Sequence, residues 1–250
     1  MLCHLAAGDI ATLLRLASDW YEDALARGDL HAATNLRARV LPAVALLSGK
    51  PELARTHATP AIDADGMPVL AIQEYWRGLS LCECDLYEGK PALARQRLPE
   101  LFKLLKQATL LEVRSIHFEA HWLRARILIA CLADGDRSVK PVDILRDAAL
   151  VETARIGGAQ GISLALRAGL AELSGDPSMV EPAWRGAEAQ LKSDGRALLA
   201  QLARLRRGRL GTAPEAERAE REARTWLSGA SIEDPDRLLD VSMPGRRFAT

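Results

Sequence analysis

His117-Phe118-Glu119-Ala120-His121 is the stretch whose residue types come closest to carrying chemistry. Two imidazoles four residues apart share one face of a helix and could share a metal ion, with a neighbouring carboxylate as general base. In the zinc-protease pattern, however, the glutamate directly follows the first histidine. Here Glu119 comes two residues later, turned about 200° around the helix, and spacing nominates no third ligand. The pair therefore reads as lining a groove or as partly buried, with no metal and no catalytic residue assigned. A helical metal-dependent enzyme working from the His117/His121 face is the alternative from another functional class.

Other reactive types read as structure. Cys82 and Cys84 stand one residue apart on a helix, point to different faces and read as small buried apolar residues. Gly157-Gly158-Ala159-Gln160-Gly161 precedes a helix and could cradle a phosphate on its first amides, but no strand leads into it, so a tight turn between repeats is expected. Arg204, Arg206, Arg207 and Arg209 crowd one helix end, where cations oppose the negative end of the dipole. With Glu215, Glu217 and Glu220 following, they read as a self-neutralised face rather than a nucleic-acid contact.

The elements that hold these residues are helices. Leu, Ala, Arg and Glu are plentiful, while β-branched and aromatic residues are sparse. Equal numbers of basic and acidic side chains, 33 of each, advertise neither nucleic acid nor a membrane surface. No run approaches the ~20 apolar residues of a membrane span, the first residues lack a leader pattern, and four scattered cysteines suit a reducing, cytoplasmic compartment.

Punctuation recurs. An apolar helical run ends on glycine, and a proline or acid opens the next run: Gly8-Asp9, Gly49-Lys50-Pro51, Gly89-Lys90-Pro91, Gly135-Asp136, Gly175-Asp176-Pro177, and Gly211 with Pro214. The period is about 40 residues, as in solenoids of helix pairs. We therefore expect an all-α, tetratricopeptide-like right-handed superhelix of antiparallel helix pairs, about five plus a truncated first one, over 1–228. A tail over 229–250 should hold one short amphipathic turn around Leu238 and end loosely. Pro42 should kink its helix, and Pro99 could split another. The opening residues read as the end of a helix with no beginning, so further helices are expected to precede them.

Several stretches resemble a known family. Arg27-Gly28-Asp29-Leu30-His31-Ala32-Ala33-Thr34-Asn35-Leu36-Arg37, Asp85-Leu86-Tyr87-Glu88-Gly89 and His121-Trp122-Leu123-Arg124-Ala125-Arg126 are similar to the C-terminal region of large bacterial serine/threonine protein kinases. There a kinase domain and an ATPase-like module precede a degenerate tetratricopeptide-like array. Ala223, Trp226, Leu227, Ile232, Asp234, Pro235, Met243, Pro244 and Gly245 resemble the way such kinases end. No Gly-rich loop, H-R-D, D-F-G or G-x-x-x-x-G-K-[ST] is present. The resemblance thus implies the scaffold without the kinase: a non-catalytic protein-protein interaction or regulatory module needing no cofactor. Its partner would be a protein or peptide, the parent kinase's own catalytic domain included.

In stacked pairs the first helices, here 30–48, 69–87, 112–133, 160–174 and 197–210, line the concave side. Polar residues four apart on them, Asn35 with Arg39, Gln73 with Arg77 and His117 with His121, form the candidate partner groove. The ligand-sensing helical domain of an ATPase-linked transcription regulator is the nearest alternative, and a C-terminal helix-turn-helix would favour it. The residues after Ser228 supply none.

Overall fold

The computed structural model describes residues 8–59, 70–174 and 177–246, and within them the chain is all-α, with no strand. The helices are α1 (Ile10–Ala26), α2 (Leu30–Asn35), α3 (Leu41–Leu47), α4 (Pro51–Ala58), α5 (Ala71–Tyr87), α6 (Pro91–Gln107) and α7 (Arg114–Ala133). After them come α8 (Pro141–Thr153), α9 (Ala159–Ser174), α10 (Pro177–Ser193), α11 (Ala197–Leu210), α12 (Pro214–Gly229) and α13 (Pro235–Ser242). Each helix up to α12 packs chiefly on its neighbours in sequence, α7 also packs on α9 and α5, and α13 packs mainly on α5 and α11. This is how helices buried on one stripe solve their burial in chain order.

The turns explain the order. Pro51, Pro91, Pro141, Pro214 and Pro235 each sit in a first turn, where a missing N–H costs nothing. At the other end of α5, Gly89 takes φ 72°, its N–H donates to Leu86 O (2.9 Å) and the Lys90 N–H donates to Asp85 O (2.7 Å). That left-handed closure satisfies the last carbonyls and reverses the chain. Gly211 departs from the expected pattern: it ends α11 at φ −99°, and Gly195, at φ 69°, is the left-handed residue that closes α10. Gly175 and the expected inter-repeat loop at 60–68 lie outside the described residues.

Pro42 does more than kink its helix. Leu36–Val40 winds as a π-helical turn between α2 and α3. Proline has no N–H for the carbonyl four residues back. That carbonyl, Ala38 O, instead accepts from the hydroxyl of Ser80 at 2.8 Å, which is fully buried on α5. The helix defect thus becomes a cross-link between two first helices. Pro99, by contrast, leaves α6 unbroken from Pro91 to Gln107, because it lies on the exposed face.

Two features were not expected. Gly8, at φ 78°, presses its Cα on Ala197 of α11 and Trp226 of α12, leaving no room for a side chain. The start of the described chain therefore meets the last helix pair. Nor do the described residues of the tail end loosely. Ile232, Leu238, Leu239, Val241 and Met243 are buried, and α13 packs against α5, α7, α11 and α12. A short apolar stripe gains more by covering the first helices than by facing water.

Candidate functional site

The tail crosses the first helices, and α3, α7, α9 and α11 supply polar holds. The Glu233 N–H donates to Leu47 O at the end of α3 (3.1 Å), and the Asp234 carboxylate caps α13 by accepting from the Arg237 N–H (2.9 Å). Tyr87, on α5, lies beside this entry. Burial, with Asp234 and Glu233 nearby, pushes its phenol up to about 12. Asp236 receives Arg209 of α11 (2.8 Å) and Arg224 of α12 (3.0 Å). Arg126 of α7 donates to Val241 O (3.1 Å).

The end of the segment is held hardest. Glu172 of α9 accepts from the Arg246 N–H (2.7 Å), the Trp184 indole N–H (3.1 Å) and Arg206 of α11 (2.9 and 3.1 Å). Arg206 is fully buried and also donates to Arg246 O at 2.6 Å. Gly169 faces Pro244 O so closely that no Cβ would fit. A glycine here is a requirement of packing.

Beneath α13 the first helices share a second buried network. Glu83 of α5 receives Arg39 (3.1 Å) and Arg126 (3.0 Å), and Arg39 also pairs with Glu119 of α7 (3.1 Å). Burial alone would raise the Glu83 carboxyl, but the two guanidiniums overcome it and hold it below the usual carboxylate range. The Arg126 guanidinium lies 4.4 Å above the Trp122 ring. Beside this network is a cavity of ≈ 200 Å³.

Of the six groove residues expected from sequence, Arg39 alone lines this cavity. Gln73 donates to Asn35 (3.0 Å) and accepts from the Leu70 N–H (3.0 Å), so this pair joins α2 to the start of α5. Arg77 turns to the end of α4, donating to Ala58 O (3.3 Å), and pairs with Glu74 (2.9 Å).

The rings of His117 and His121 lie 4.5 Å apart, tilted at 52°; His121 faces Phe102 of α6 and Asp147 of α8, and His117 Nδ1 lies 3.2 Å from Leu111 O. A third polar group does converge on them. Asp147, fully buried on α8, lies 2.7 Å from His121 Nδ1, yet the same carboxylate is taken by Arg124 (2.7 Å), whose guanidinium covers the Phe102 ring. The arrangement clamps α7 to α8. Among the described residues no three His, Cys, Asp or Glu side chains are placed to hold a metal ion.

Burial, then the neighbouring His121, lowers the His117 pKa from 6.5. Between the folded value and 6.5 the unfolded chain binds more protons, so stability falls as pH drops through that window. His117→Gln is expected to flatten the melting temperature between pH ~7 and ~5.

Other expectations resolve locally. The Arg cluster is neutralised, but mostly from elsewhere than the helix that follows it. Arg204 and Arg207 meet Glu188 of α10 and Arg206 meets Glu172, while α12 contributes Glu222 to Arg204 (3.2 Å) and Glu220 to Arg209 (4.0 Å). Gly157 O accepts from Arg196, so Gly157-Gly158 is a turn held by a side chain, and Ala159 to Gly161 already belong to α9. Cys82 and Cys84 are both buried, which pushes each thiol up to about 12.

No protein-family model matches this chain, and neither a curated protein nor a solved structure is significantly similar to it. The site therefore stands on its geometry. Sequence reasoning missed Glu83, Glu172, Arg206 and Asp236 as a set. The available signal was a lone acid within an apolar run, Glu83 between two cysteines and Glu172 between Ala171 and Leu173. Such a residue is seldom buried unless it is paired. No helix among the described residues is long and apolar enough to cross a membrane.

Proposed function

We propose that this chain is a non-catalytic interaction module, a tetratricopeptide-like, right-handed superhelix of about five antiparallel pairs. On this reading the arginine-bearing first helices hold a short acidic amphipathic segment. The supporting observation is the chain's own residues 232–246, seated across α3, α5, α7, α9 and α11 by Arg126, Arg206 and Arg209. Apolar residues of that segment supply the burial and its acids set orientation, a common division of labour in helix-in-groove recognition. A partner protein with a segment of the same chemistry would compete with it, and displacement would expose the face.

The kinase resemblance extends this proposal. The array would recognise a protein partner in the cytoplasm, the catalytic domain of a parent serine/threonine kinase among the candidates, and regulate by proximity. A kinase domain encoded upstream in the same reading frame would support it.

A direct test places a protease site after Gly229 in the full chain and cleaves it once folded. The released segment should stay bound and exchange with a fluorescent peptide of residues 232–246 in a saturable way. Asp236→Arg in that peptide should weaken binding about 10-fold, by opposing Arg209 and Arg224. A segment that leaves and does not rebind, or a peptide indifferent to the substitution, would remove the proposal.

A further inference from the structure

The cavity under α13 has a composition that packing alone does not account for. Leu46, Leu47, Phe118, Trp122, Ile162 and Leu198 make most of its wall, and Leu238, Val241 and Ser242 of α13 close one side. At ≈ 200 Å³ it exceeds the small voids of a well-packed interior. An apolar void of about 150 Å³ already accepts a benzene-sized guest.

One wall is polar. Arg39, Glu83, Glu119, Arg126 and Arg196 reach it. Glu83 is shared by Arg39 and Arg126, and Glu119 is taken by Arg39, so these four charges cancel. Arg196 donates to Gly157 O, and no carboxylate pairs with it among the described residues. The lining therefore carries one net positive charge. Arg126 is 2% exposed, and its Nε–H has no acceptor among the described residues. A buried donor without an acceptor is costly, and native structures rarely leave one so.

We infer that this cavity binds a small apolar molecule ending in a single carboxylate, its body among Phe118, Trp122 and the leucines and its anion at the Arg126 and Arg196 wall. The apolar lining supplies affinity, while the single excess charge and the open Nε–H donor select a monoanion over a neutral molecule. Because α13 forms part of the wall, an occupied cavity also favours the docked tail. The inference does not need a protein partner, since the walls belong to this chain alone.

Octanoate, with octan-1-ol as the neutral control of equal length, probes the site by calorimetry on the full, uncleaved chain. Octanoate should bind one to one, at least ~10-fold more tightly than the alcohol. It should also slow amide hydrogen exchange at residues 238–242. Ala43→Phe enlarges a side chain that lines the cavity from α3, and should abolish binding without lowering the melting temperature. No saturable binding, or binding unchanged in Ala43→Phe, would overturn the site, and equal affinity for the alcohol would overturn the carboxylate. The cleaved-segment experiment is read separately, so either proposal can fail alone.

Discussion

Glu172→Ala is expected to lower the unfolding free energy by about 3–5 kcal/mol, the cost of breaking a buried ion pair on one side. The carboxylate is 2% exposed and receives the Trp184 indole, the Arg206 guanidinium and the Arg246 amide. Without it the fully buried Arg206 exchanges a carboxylate at 2.9 Å for the more distant Asp240 at 3.7 Å. Urea denaturation at neutral pH reads the loss. The double substitution Glu172→Leu with Arg206→Met removes both charges and should recover most of it, because two well-packed apolar side chains cost less than one stranded ion. Hydrogen exchange at residues 243–246 should rise in the single variant, since its anchor is gone.

Glu83→Ala should cost a similar amount, about 3–5 kcal/mol, by a different route. It takes the carboxylate away from Arg126 and leaves Arg39 to Glu119, although both guanidiniums converge on Glu83 and both are buried. Glu83→Gln separates charge from shape and carries a pH signature. The Glu83 carboxyl is held below its ordinary 4.5, so its contribution is complete above 4.5 and is lost as pH falls through the folded value. The melting temperature of the native chain should therefore fall more steeply below pH ~4.5 than that of Glu83→Gln. Parallel acid limbs would show that folding does not lower the Glu83 carboxyl.

Most of the architecture was legible in the sequence, because helix ends are written in local residue chemistry. Gly89 before Lys90-Pro91 stated a left-handed closure and a proline start, and both occur there. The 112–133 stretch is apolar on two sides, and α7 packs on α5, α6, α8 and α9. Ala54 and Ala94, each five residues after a turn glycine, are both fully buried.

The site was much less legible. Four-residue spacing identified surfaces of single helices, but which surface faces the interior depends on how successive helices rotate. His121 was drawn to Asp147 on α8 by a contact 26 residues away, and Gln73 to Asn35 by one 38 residues away. Leu36–Val40 shifted the helical register ahead of Pro42, a change that composition does not announce. The tail was read as one short turn with a loose end, and its eight helical residues are indeed too few to be stable alone. Its stability comes from helices that precede it in the chain.

The segment that crosses the first helices also changes how the molecule should fold. A stack whose members touch only their neighbours can fray and re-form from either end. Here Arg126 is tied to Val241 across 115 positions, and Arg206 to Arg246 across 40. Such long closures raise contact order and slow the search. In return, unzipping from one end must break the ties at the other, and the array should melt as a single unit.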